Sequence, residues 1–188
     1  MWSVLWFLAC GGSAVDVTDA AAAVCPEGEA RLNPTTAPLV AADLIAALPA
    51  AGGRWRRYAA IDGAGLVTAT YSLDGQRSDG PPGIVPIARV VIEDRVHRCT
   101  AAPGTGAAML AQLAALPDHG AMAIGARPGV VAKASGTVQL DLWVADRCAV
   151  SIGASAGLDD GLDVSGADLQ AIAAEIDWAA LDRLCAAR

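Results

Sequence analysis

The sequence predicts an α+β fold, an antiparallel sheet with helices packed on one face. Three observations predict it: short apolar-alternating runs set off by Asp-Gly turns, leucine-spaced segments introduced by capping residues, and a similar order of the two in both halves of the chain.

The domain begins near Cys25, after which Cys25-Pro26-Glu27-Gly28 and Asn33-Pro34 are turn-rich. Thr36 can cap a helix from Pro38 to about Leu48, because Val40, Leu44 and Leu48 share a face at i, i+4 and i+8. Gly52-Gly53 ends it. Trp55 to Ile61, Leu66 to Leu73 and Ile87 to Glu93 read as strands, with hairpin signals at Asp62-Gly63-Ala64-Gly65 and Asp74-Gly75. Gln76 to Pro86, carrying Gly80-Pro81-Pro82-Gly83, reads as an irregular loop. Thr105 starts a helix through Met109, Leu110, Leu113 and Leu116 that Pro117 closes.

Val130 to Ala134, Thr137 to Val144, Cys148 to Ile152 and Leu162 to Val164 are further strands. The second alternates cleanly, with Val138, Leu140, Leu142 and Val144 inward and Thr137, Gln139 and Asp141 outward. Ser165-Gly166-Ala167-Asp168 resembles a capping box and opens a helix through Leu169, Ile172 and Ile176. Asp177 begins another helical stretch with Trp178, Leu181 and Cys185. Asp94-Arg95, followed by Cys99, echoes Asp146-Arg147-Cys148: each follows a strand and precedes a leucine-spaced helix. A duplication into two similar β-rich and helical halves is one reading of that echo.

With 188 residues the chain suits one domain. Its 54% hydrophobic content is largely alanine, and the single Phe of the chain, Phe7, precedes the domain. Such a core buries little area per residue at ~25 cal/mol per Å², so covalent staples would help it. The net charge of −7 argues against nucleic acid, whose phosphates need a dense basic face. Lys133 is the one lysine among thirteen basic residues, a bias that with abundant Ala and Gly fits a GC-rich bacterial genome.

Met1 to Ala9 is apolar except for Ser3 and runs into Cys10-Gly11-Gly12-Ser13. As a helix it would span about 14 Å, half of the ~30 Å hydrocarbon layer, which is signal-peptide size and too short to cross. Phe7-Leu8-Ala9-Cys10 resembles a bacterial lipobox, with Phe7 where leucine is usual. The resemblance implies cleavage before Cys10, acylation of that cysteine, and a small polar tether over residues 10–24. It places the chain in the cell envelope, exported and membrane-anchored, on the periplasmic or surface side.

Setting Cys10 aside leaves Cys25, Cys99, Cys148 and Cys185, an even number without zinc-ligand spacing. Two disulfides are the simpler account, and if the last helix packs on the strand of Cys148, they are Cys148 with Cys185 and Cys25 with Cys99. No metal or cofactor is expected. Gly104-Thr105-Gly106 lacks a P-loop lysine, so no nucleotide is expected either.

Gly153-Ala154-Ser155-Ala156-Gly157 matches the G-x-S-x-G elbow, but a turn follows it and His97 and His119 both precede Ser155. His97 beside Cys99 reads as a surface histidine at a strand end, since Cys99 is wanted for a disulfide, and His119 reads as a turn residue. Asp159-Asp160-Gly161-Leu162-Asp163 lacks the EF-hand spacing. Arg54-Trp55-Arg56-Arg57-Tyr58 is the one basic cluster; as a strand it puts Arg54, Arg56 and Tyr58 on one face, an edge that meets solvent or an anionic surface. The functional expectation is therefore a non-enzymatic lipoprotein, held at the membrane by acylated Cys10, that binds an unidentified protein as an assembly factor or inhibitor. The rivals are a small exported hydrolase with a non-motif active site and a cytosolic structural domain.

Overall fold

The computed structural model describes residues 27, 30–31, 36–63, 65–73, 86–97, 99–100, 106–134, 136–157 and 162–186, with the backbone alone at 30, 31, 63, 97, 99 and 100. Residues 1–26, and with them the expected leader, Cys10 and tether, lie outside the described residues. So does most of the loop expected over 76–86.

A short ladder joins β1 (Ala30–Arg31) to β6 (Cys99–Thr100). All other described strands form one antiparallel sheet of eight. They are β2 (Ala51–Gly52), β3 (Trp55–Gly63), β4 (Leu66–Ser72), β5 (Ile87–Asp94), β7 (His119–Ile124), β8 (Arg127–Ala134), β9 (Thr137–Val144) and β10 (Cys148–Ser155). Their order is β2-β3-β4-β5-β10-β9-β8-β7. Two meanders, β2 to β5 and β7 to β10, thus meet at the β5–β10 pair, whose register runs from Ile87 opposite Ser155 to Asp94 opposite Cys148. Four helices are described: α1 (Ala41–Ala46), α2 (Gly106–Ala114), α3 (Gly166–Ala174) and α4 (Trp178–Ala186).

Alternation decides the two faces of the sheet. Val138, Leu140, Leu142 and Val144 of β9 join Val150 and Ile152 of β10 in one core. Leu44 of α1, Leu169 and Ile172 of α3 and Leu181 of α4 pack into the same core, so these three helices share the inner face. The capping box is present: Ser165 accepts from the Ala167 amide while Asp168 accepts from the Ser165 amide, which fixes the start of α3.

α3 reaches both edges of the sheet. A Cβ on Gly52 of β2 would lie 2.5 Å from Ile172 Cα, and one on Gly166 would lie 2.7 Å from the Met122 methyl of β7. Since β2 and β7 are the two outermost strands, the sheet must curl around this helix. The Asp177 amide, between α3 and α4, donates to Ala47 O just past α1, tying the helices together.

Not every helix lies on that face. A Cβ at Gly106, the first residue of α2, would come 2.6 Å from Trp143 Cβ, and Trp143 points away from the core that its neighbours Leu142 and Val144 enter. α2 therefore covers the outer face at the β7–β9 end, a correction to the expectation of helices on one face only. Periodicity shows that a helix is amphipathic but not which side of a sheet takes it.

Other boundaries shift for local reasons. α1 begins only at Ala41, with Val40 as its N-cap and no side-chain cap, so Thr36 does not cap it. Gly52 belongs to β2, and Gly53 makes the turn into β3 at φ +56°. Leu162 to Val164 is irregular rather than a strand. His119 opens β7, a strand that replaces the expected turn. The echoing Asp-Arg pairs fall at inequivalent places: Asp94-Arg95 ends the last strand of its meander, whereas Asp146-Arg147 follows the third of its own. The halves resemble each other in strand order, not through that match. No described helix is long and apolar enough to cross a membrane.

Candidate functional site

The outer face of the central strands carries a polar cluster around Asp141. Across β4, β5, β10, β9 and β8, the register aligns Thr68, Val91, Ser151, Asp141 and Val130 in one row and Thr70, Arg89, Gly153, Gln139 and Ala132 in the next. Asp141 is largely desolvated, and its row neighbour Val130 is only 3% exposed. The Ser151 hydroxyl donates to Asp141 Oδ1, and Gln139 Nε2 lies 3.0 Å from each carboxylate oxygen. Burial pushes the Asp141 carboxyl above the usual carboxylate range; the bonds from Ser151 and Gln139 and the more distant pull of His119 only partly offset it.

The Ser151 hydroxyl hydrogen-bonds Asp141 directly, with no imidazole between them. His119 Nδ1 is 2.8 Å from Pro117 O, which orients its ring toward its own turn. The Ser155 oxygen accepts from the Gly157 amide at 3.2 Å and from the Thr137 hydroxyl at 3.5 Å, so it braces the end of β10. No group of three or more His, Cys, Asp or Glu side chains that could hold a metal occurs among the described residues.

The arginines of the basic cluster bond within the chain, Arg54 and Arg56 at the surface and Arg57 half-buried. Arg54 grips Asp168 through Nε at 2.8 Å and Nη2 at 3.0 Å, and the buried Trp55 indole donates to the same carboxylate at 2.9 Å. Arg57 bonds Leu48 O and Arg56 bonds Gly53 O. Arg54 precedes β3 and faces α3, so the expected face shared by Arg54, Arg56 and Tyr58 does not form. A second ion pair is deeper: Arg147 donates to both oxygens of Asp94, at 3.0 and 2.7 Å, and pins the β9–β10 turn to the end of β5.

Cys148 and Cys185 are joined by a disulfide, with Cα atoms 5.9 Å apart, where α4 lies against the sheet. Cys10 and Cys25 fall outside the described residues; Cys99 has a described backbone only, in β6 opposite Arg31. His97 ends a 3-10 turn, Arg95–His97, again with backbone only. Asp159 and Asp160 are outside the described residues, as are Gly104 and Thr105.

Sequence reasoning missed the Asp141 cluster. Strand alternation assigns Gln139 and Asp141 to the outward face, and they are there, but alternation alone does not show that this face is partly covered. The available signal was an acid, an amide and, on the neighbouring strand, a serine all at outward positions beneath a predicted apolar helix. No protein-family model, curated protein or solved structure matches this chain.

Proposed function

We propose that the chain is an exported bacterial lipoprotein, anchored through acylated Cys10, whose domain binds another macromolecule of the cell envelope as an assembly factor or inhibitor and catalyses nothing. The observation that carries the reading is the Cys148–Cys185 disulfide, because such bonds persist in oxidising compartments and are rare in the cytosol. The lipobox-like Phe7-Leu8-Ala9-Cys10 supplies a route to that compartment.

Cell fractionation tests the anchor. The unaltered chain is expected in the membrane fraction, released by detergent and not by salt, while Cys10→Ala leaves the membrane without losing the Cys148–Cys185 bond. A Cys10→Ala chain that fractionates as the unaltered one does would refute the lipid anchor.

A further inference from the structure

We infer that the chain forms a two-fold homodimer through the β7 edge of the sheet, with Ala121 of one copy opposite Ala121 of the other. β7 is the outermost strand at its end of the sheet and pairs with β8 over its whole length without a register shift. The Lys133 amide donates to Asp118 O, so Asp118 and every second residue after it turn their backbone groups toward β8. Pro128, which has no N–H, accordingly lies opposite Ala123, in a non-hydrogen-bonded pair. The outward groups are then those of His119, Ala121 and Ala123. The His119 amide donates to Leu116 O, and among the described residues no backbone group bonds Ala121 or Ala123 on that side.

The composition of this edge argues for a second copy. In a chain that is 18% charged, Asp118 is the one charged side chain from Gly106 to Ala126, although most of these residues are exposed. β7 carries none of the devices that keep a free edge unpaired, neither lysine, proline nor a bulge. The opposite edge has them: β2 covers Trp55 and Arg56, a register shift follows between Arg57 and Ala59, and Arg56 and Asp62 are exposed charges. With the two-fold axis at Ala121, the two Ala121 residues exchange two backbone hydrogen bonds, and each Ala123 amide donates to His119 O of the other copy. Asp118 then opposes Ile124 of the other copy and lies about 20 Å along the strands from the second Asp118, so like charges do not meet. The same operation sets the exposed Leu116–Pro117 turn of each copy beside the small, exposed Gly125–Ala126 turn of the other. Both α2 helices, whose exposed residues are all uncharged, stand on one side of the joined sheet. A single extended peptide from another protein would complete the strand but leave Leu116 in water, whereas a second copy covers both at once.

Charge placed at the axis tests the pairing, independently of where the protein resides. The purified chain is expected to sediment as a dimer, and Ala121→Lys and Ala121→Glu each as a monomer with unaltered circular dichroism, because like charges then stand directly opposite. An equimolar mixture of the two variants is expected to return to the dimer. Ala121→Cys with added oxidant is expected to give a reducible dimer, since paired Cα atoms at about 5.5 Å are within disulfide reach. Ile61→Cys, also exposed but on the opposite edge, is not. A monomeric parent chain, a dimer that survives Ala121→Lys, a mixture that stays monomeric, or equal trapping through Ile61→Cys overturns the proposal.

Discussion

Asp94 has a fully buried side chain, and its charge is met by Arg147, itself 9% exposed at the side chain. Burial raises the Asp94 carboxyl, but the Arg147 bonds and the Leu39 and Val96 amides outweigh it and hold the group below its usual range. Removing one member leaves the other charge buried, so Asp94→Leu or Arg147→Met alone should cost about 3–5 kcal/mol in urea unfolding, with the double substitution recovering most of the loss. Asp168 is lowered for a like reason: burial raises it, but the Ser165 amide, Arg54 and Trp55 outweigh that. Both groups add stability above the unfolded value of 3.8 that is lost as pH falls through their lower folded values. Asp141 has the opposite sign. Its raised folded value means the folded state holds a proton longer, so stability declines as pH rises from 3.8 through that value. Urea midpoints measured from about pH 4 to 7 should show this decline in the parent chain and a flatter profile in Asp141→Asn.

Gly106 shows how one residue decides where an element sits. It lets the first turn of α2 rest on the Trp143 ring, and a methyl group there would meet Trp143 Cβ at 2.6 Å and Cγ at 2.7 Å. Gly106→Ala should therefore cost about 1–3 kcal/mol, despite alanine's better helix propensity, and should alter the fluorescence of Trp143. The elements most legible in the sequence were those whose local chemistry and tertiary setting agree. β9 runs from Thr137 to Val144 as its alternation indicates, and Ser165 caps α3 through the capping box. β7 was illegible because His119 to Ile124 contains one β-branched residue and two alanines on its exposed side; pairing with β8 makes it a strand, not propensity. α1 was read too long because Val40 continues the helical spacing in sequence while standing 62% exposed in an extended conformation. The polar site was only half legible: alternation gave its residues a common face, while the helix that shields that face comes from a separate part of the chain.

At the scale of the molecule, the curled sheet holds α3 and α4, and the disulfide fastens α4 to β10. Its cysteines, thirty-seven residues apart, are 0% and 2% exposed. Breaking the bond by Cys148→Ala with Cys185→Ala should lower unfolding free energy by about 2–4 kcal/mol. Reductant alone should act slowly on the native chain and readily in urea, since the sulfurs become accessible only on opening; thiol labelling over time follows both. The buried core is built mainly from Leu, Val and Ile rather than the alanine that the composition suggests, and the proposed export through the lipobox-like leader would put its disulfide in an oxidising compartment. Intact mass of the chain recovered from the membrane fraction tests that account most directly. The account predicts a species that starts at Cys10, carries acyl mass on it, and lacks one hydrogen for each of Cys25, Cys99, Cys148 and Cys185. A species of unprocessed mass, beginning at Met1 with all cysteines reduced, would contradict it.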